Sequence, residues 1–237
     1  MNPARIAELL QPFLEGQSLS PAQLSSISTY IDILLRWTAR INLTAIRDPE
    51  EIVTRHFGES LFAAAHLFPS ASSALAVAVR PFPPVSPVVE AVAVADFGSG
   101  AGFPGLPIKL WAPHISLTLI ESNHKKATFL REVVRALTLT DVDIQNVRAE
   151  TLPARAYDVL TLRAVERFEA IVPVAASLVA DDGRLALLIG AAQLAQLPTA
   201  LPLHNISVPL PIPSSSSRVL AVARKRPGIQ TKSGMNT

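Results

Sequence analysis

Between Val92 and Trp111 the chain reads VAVADFGSGAGFPGLPIKLW. An apolar run ends on Asp96, and Gly98, Gly100, Gly102 and Gly105 follow within eight residues. A structural turn needs one or two glycines, so four in succession point to a backbone held close to a ligand. The segment reads as a buried strand, a glycine loop and a helix start. In open α/β sheets, ligands bind beyond the carboxyl ends of the strands, and a loop of this kind sits there.

The rest of the chain agrees with that placement. After the loop, SLTLIE, VDIQNV, YDVLTLRA, RLALLIG and RVLAVARK read as strands. HKKATFLREVVRAL is an amphipathic helix with Phe129, Leu130, Val133, Val134 and Leu137 on its apolar side, and FEAIVPVAASLVA is a second helix ended by a turn at DDG. Strands alternating with helices predict an α/β fold with a doubly wound, mostly parallel sheet. Hydrophobic residues make up 49% of the 237 and charged residues 17%, enough to bury a large core for such a sheet.

Before the loop the pattern is helical. SPAQLSSISTYIDILLRW has Ser20 as N-cap and Pro21 in the first turn, with Leu24, Ile27, Ile31, Leu34 and Leu35 on one face. A second start lies at DPEEIVTRHF, where Asp48 caps and Glu50 and Glu51 meet the positive end of the helix dipole. RINLTAIRD bridges the two, and Asn42 is expected to brace it through bonds to the backbone. The prolines between residues 69 and 91 exclude both helix and interior strand. The expected organisation is a helical N-terminal extension (1–68), a Pro/Ala/Ser-rich connector (69–91), a sheet domain (92–226) and a flexible basic tail (227–237).

Several classes are excluded. Without cysteine there is no disulfide and no thiolate metal site, and the five histidines show no metal-ligand spacing, so no metal is expected. No stretch approaches the roughly 18 apolar residues that span a bilayer, and the N-terminus lacks the pattern of a signal peptide. The chain is expected in the cytoplasm, as a monomer, without a membrane partner. Its formal net charge is +2, but Arg218, Arg224, Lys225, Arg226 and Lys232 belong to an end that holds no acid. That leaves 16 basic against 19 acidic residues over positions 1–217, so overall charge does not by itself announce a nucleic-acid partner.

The glycine cluster fits two registers. Gly100, Gly102 and Gly105 satisfy the dinucleotide fingerprint G-x-G-x-x-G, with Glu121 placed for a ribose hydroxyl. Alternatively, Asp96-Phe97-Gly98-Ser99-Gly100-Ala101-Gly102 resembles motif I of S-adenosylmethionine-dependent methyltransferases, with Asp96 facing the cationic amino group of the methionine moiety and Glu121 again on the ribose. An acid just before the loop opposes a pyrophosphate, which favours the second register.

INLTAIRDPEEIVTRHFGESL, DFGSGAGFPGLP, ESNHKKATFLRE, VRAE and LRAV together resemble the RsmG (GidB) family, which methylates N7 of a guanine in small-subunit ribosomal RNA. The resemblance runs from about Arg40 to Lys225. It implies a sheet of the class I methyltransferase type and S-adenosyl-L-methionine as cofactor. It implies cofactor contacts from Asp96, Gly98, Gly100, Gly102, Phe103, Glu121, Ala149, Glu150 and Arg163, and a catalytic place for Arg163 between cofactor and incoming base. It puts His56, Lys125, Lys126 and Arg218 near the RNA, which is 16S RNA or the ribosomal particle. Trp37 and Trp111 are read as packing residues. Two positions depart from the family: Ile189 stands where a lysine precedes glycine, and Glu59 stands for an aspartate. A nicotinamide-dependent oxidoreductase, a non-catalytic ribosome-binding module and a small-molecule methyltransferase remain open alternatives at this point.

Overall fold

A computed structural model of the chain describes residues 1–69, 91–163 and 167–227. The expected connector, apart from its ends, and all but the first residue of the basic tail lie outside them.

Five parallel strands form the body of the sheet: β1 (Ala93–Phe97), β2 (Ser116–Ile120), β3 (Val142–Gln145), β4 (Tyr157–Arg163) and β5 (Val179–Gly190). Three antiparallel pieces complete it: β6 (His204–Ile206), β7 (Leu210–Pro211) and β8 (Arg218–Lys225). The order is β3-β2-β1-β4-β5-β8-β6, with β7 beside β8, so the direction of winding switches between β1 and β4. That switch opens a crevice at the carboxyl ends of those strands. Asp181, Asp182 and Gly183, expected as a turn, fall inside the range of β5, where pairing with β4 slips between Tyr157 and Val159.

Helices cover both faces. On one lie α1 (Pro3–Leu10), α2 (Pro21–Thr38), α3 (Pro49–Glu51), α4 (Glu59–Leu67), α5 (Gly105–Trp111) and α6 (His124–Ala136). On the other lie α7 (Phe168–Leu178) and α8 (Ala191–Ala200). Helix α2 starts as expected: the Gln23 N–H donates to Ser20 Oγ at 3.3 Å, and the Ser20 N–H donates back to Gln23 Oε1 at 2.8 Å. Asp48 caps the next start, accepting from the Glu51 N–H at 2.8 Å. Between α3 and α4 the helix continues through a π-helical segment, Ile52–Gly58. Such widened turns recur at functional sites, because they re-aim side chains without ending the helix.

The N-terminal helices and the sheet share one apolar core. Ile6, Phe13, Ile31, Phe57 and Leu61 pack in the same cluster as Leu106, Leu117, Phe129 and Val159. The Trp37 indole N–H donates to Glu132 on α6 and that of Trp111 to the Phe68 carbonyl, both as packing residues. In the bridge it is Thr44, rather than Asn42, that braces the backbone, accepting from the Ile46 N–H at 3.1 Å.

Candidate active site

Successive strand residues point to opposite faces, and this alternation divides the site. Phe97, Ile120, Leu160 and Leu162 face α7, whereas Asp96, Thr161 and Arg163 face the N-terminal helices.

The glycine loop straddles the division. Gly98, Gly100 and Gly102 all have positive φ, which glycine adopts without strain. At Gly102 space is also critical, since a Cβ would collide with the Tyr30 hydroxyl and with Leu106. The Tyr30 hydroxyl donates to the Ala101 carbonyl, so α2 holds the loop from behind. The Phe103–Pro104 peptide is cis. Gly105 lets α5 approach β1, where a Cβ would come within 2.8 Å of Asp96 Cβ.

Asp96 departs from expectation. It is almost fully buried, its Oδ1 accepts from the Thr161 hydroxyl at 2.8 Å, and its Oδ2 accepts from the Gly105 N–H at 3.2 Å. The carboxyl therefore faces the start of α5 and β4 and does not present itself to an amino group in the crevice. Burial pushes it up to about 6, partly offset by the bonds from Thr161, Gly105 and Ser99.

Glu121 sits where the ribose acid was expected. Its Oε2 accepts from the Gly100 N–H at 2.9 Å and its Oε1 from the Asn123 N–H at 2.7 Å. A carboxylate accepts about four bonds, so each oxygen keeps a lone pair for a hydroxyl. Beside it, on the α7 side, lies a cavity of about 410 Å³ lined by Phe97, Gly98, Ile120, Ser122, Ala149 and Glu150, among others. The apolar wall made by Phe97, Ile120 and Ala149, next to a carboxylate with lone pairs to spare, suits a nucleoside. The structure thus brings Gly98, Ala149 and Glu150 together around one cavity, with Gly100 and Glu121 adjoining them. Arg148, Arg167 and Ile171 also line this cavity. Arg167, exposed and left-handed in backbone just before α7, was not foreseen, because nothing local in the sequence announces that conformation.

The other side is built on charge. The Arg163 guanidinium donates through one terminal nitrogen to His56 Nδ1 at 3.1 Å and through the other to the Arg55 carbonyl at 2.8 Å. That second nitrogen also lies 3.1 Å from Glu59 Oε2. Because His56 Nδ1 accepts, its Nε2 carries the proton and donates to Thr44 Oγ1 at 2.7 Å. The ring stacks on Phe103 with centroids 4.8 Å apart, and Phe103 stacks on Tyr30 at 5.3 Å. Burial and the neighbouring Arg163, Arg55 and Arg218 hold His56 down to about 3, so it is neutral. His56 therefore offers no free ring nitrogen to an RNA, contrary to expectation. It joins the glycine loop to Arg163.

Glu59 is the residue the expected site lacked. It is buried at the start of α4, with Arg163 at 3.1 Å, Arg218 at 3.3 Å and Arg55 at 3.5 Å. One acid inside the otherwise apolar run FGESLFAAAHL was its signal. Arg218 reaches it from β8, opposite Gly190. Ile189 points the other way, into the apolar cluster with Leu185 and Leu187, so no side chain from that position faces the arginines. Lys125 and Lys126 begin α6, with Lys125 exposed. Among the described residues no His/Cys/Asp/Glu group is arranged to hold a metal, and no helix is long and apolar enough to cross a membrane.

Residues 23–77 and 82–207 match the family model described as GidB, rRNA small subunit methyltransferase G. Ribosomal RNA small subunit methyltransferase G of Xanthomonas axonopodis pv. citri is 36% identical over 235 residues, covering 95% of this chain and 100% of the relative. The protein of the same name from Xylella fastidiosa is 39% identical over 202 residues, 83% of this chain and 84% of its own. Among solved structures, a predicted O-methyltransferase from Agrobacterium tumefaciens superposes with a TM-score of 0.50 at 20% identity, over 60% of this chain and 77% of that one. That likeness concerns the fold.

Proposed function

This chain belongs to the GidB family, the small-subunit ribosomal RNA methyltransferases G, and we propose that it transfers the methyl group of S-adenosylmethionine to N7 of a guanine in 16S RNA. The family is one of methyltransferases, so the oxidoreductase reading is not favoured. The observation that carries the proposal is the crevice at the winding switch. Its glycine loop, the Glu121 carboxylate and a cavity with one apolar wall fit an adenosine-bearing cofactor.

S-adenosylmethionine supplies an electrophilic methyl on a sulfonium. The residues of the chain do the rest. Glu121 takes the ribose hydroxyls, and Phe97, Ile120, Ala149 and Ile171 wall the slot for the flat base. Asp96 fixes the loop by tying β1 to α5 and β4. Guanine N7 carries a lone pair and no proton, so no general base is needed, and the work is to hold donor and acceptor near attack distance. Arg163 stands at the end of β4 with its Nε–H unpartnered among the described residues, and we assign it to orienting the incoming base or its phosphate. Lys125, Lys126 and Arg218 meet the RNA backbone. The protein works in the cytoplasm, where ribosomal particles are assembled.

The test is transfer of labelled methyl from S-adenosylmethionine to bacterial small-subunit RNA and particles, with the labelled base mapped. Label on a single guanine N7 is expected. Label absent from both substrates, with cofactor bound, overturns the acceptor. No cofactor binding in calorimetry overturns the reaction.

A further inference from the structure

Four charged groups meet where the N-terminal helices cover the carboxyl end of β4. Arg55 arrives from the π-helical segment, Glu59 from the first turn of α4, Arg163 from β4 and Arg218 from β8. Three guanidiniums thus share one carboxylate. Their exposures differ: the Arg163 side chain is 6% exposed and that of Glu59 2%, against 45% for Arg55 and 20% for Arg218. Arg163 is therefore the cation with least access to water, and Glu59 is the anion nearest to it, with the buried Asp96 a weaker second. A buried charge without its counter-ion is displaced or forced toward solvent.

The contacts are ion pairs and not aligned hydrogen bonds, since among the described residues neither Glu59 oxygen has a well-directed donor. The carboxylate therefore acts as a charge that keeps three like charges together, while direction comes from elsewhere. His56 Nδ1 and the Arg55 carbonyl fix the two terminal nitrogens of Arg163. What remains without a partner among the described residues is the Arg163 Nε–H, buried at the same junction. A donor left unpaired at this depth is costly unless a ligand completes it.

We propose that Glu59 is a positioning residue of the methyl transfer, holding the Arg163 guanidinium between the π-helical segment and β4 so that its Nε–H is kept for the substrate. The inference rests on the methyl-transfer reading above. It explains why a carboxylate stands in an apolar helix. On the same ground the shorter carboxylate of an aspartate is expected to serve there, for a charge matters at this position and an aligned acceptor does not.

The experiment compares Glu59→Gln and Glu59→Asp in wild-type and Arg163→Lys backgrounds, by steady-state methyl transfer to small-subunit RNA. Melting and S-adenosylmethionine calorimetry accompany each variant. Glu59→Gln is expected to lower kcat at least tenfold with cofactor affinity unchanged, and Glu59→Asp to stay within threefold of wild type. In the Arg163→Lys background, Glu59→Gln is expected to cost less than twofold. An equal loss in both backgrounds, a wild-type kcat in Glu59→Gln, or an Asp variant as slow as the Gln variant would overturn the proposal.

If Glu59→Gln does not fold, Glu59→Gln/Arg218→Gln removes a cation with the anion, and the same comparison is made against Arg218→Gln. Nitrogen-15 spectra of the arginine side chains give a readout free of activity. The Arg163 Nε–H, assigned by its loss in Arg163→Lys, should keep hindered terminal NH2 rotation in wild type and lose it in Glu59→Gln. Hindered rotation in both overturns the proposal. A wild-type chain that transfers no methyl to any RNA while showing this spectral change would instead count against the methyl-transfer reading.

Discussion

The two faces of the β1–β4 crevice are made in different ways. On the α7 side, Phe97, Gly98, Ile120 and Ala149 give a cavity its apolar wall, with Glu150, Arg148 and Arg167 at its polar side and the Glu121 carboxylate adjoining. On the other side, Arg55, His56, Glu59, Arg163 and Arg218 form a dense cluster with a surplus of positive charge. The first comes from strand ends and the turns directly after them, so each part is specified locally. The second joins segments more than 100 residues apart and exists only once the N-terminal helices have docked. A nucleoside pocket is thus inherited from the sheet, and the charged side is added by the covering helices.

Gly102→Ala should strike both faces at once, and hardest. Its Cβ meets the Tyr30 hydroxyl and Leu106 at a φ of +83°. A loss of about 3 kcal/mol in urea unfolding, together with loss of cofactor binding, is expected. Wild-type stability there would mean that the loop and α2 are not coupled. Next comes Glu121→Ala, which should separate the faces. Cofactor affinity is expected to fall about 100-fold, since the Gly100 and Asn123 N–H groups lose the acceptor that orders the loop, along with the ribose, while the Arg163 spectrum stays unchanged.

The effect of pH sharpens the contrast within the charged side and the loop beneath it. His56 is held down from 6.5 to about 3, so the stability it contributes is present above 6.5 and is lost as pH falls toward 3. Asp96 is held up from 3.8 to about 6, so its contribution is present below 3.8 and is lost as pH rises through 6. His56→Gln should flatten the acid limb of an unfolding-versus-pH curve and Asp96→Asn the limb between 4 and 6; unchanged limbs would contradict the burial of both groups. The smallest effect belongs to Lys125→Ala. RNA binding should weaken modestly, with the salt slope reduced by about one phosphate contact and cofactor affinity untouched, as filter binding at several salt concentrations would measure.

Legibility in the sequence follows the same division. The strands, the caps at Ser20 and Asp48, the glycine loop and the place of Glu121 could all be read, because period-two patterning, capping chemistry and loop spacing are local. The roles of Asp96 and His56 could not. Each side chain is of a type that suits a ligand, and only tertiary contacts decide that Asp96 turns to Thr161 and His56 to Arg163. The π-helical segment left no pattern of its own, since its widened turn depends on what packs against it. Helix α8, with Pro198 inside it, also escaped notice, because its stability comes from packing on β5, β8 and α7 more than from propensity.

The stack of Tyr30 on Phe103 and of Phe103 on His56 threads α2, the glycine loop and the π-helical segment on one axis. Anyone wishing to exchange the leading helices for those of another enzyme, to redirect it to a new acceptor, would be removing both outer rings of that sandwich. The incoming piece would have to bring its own aromatic hydroxyl for the Ala101 carbonyl and its own imidazole for Arg163. Swaps of the leading helices between enzymes of this type should therefore succeed when the loop travels with them, and fail when it is left behind.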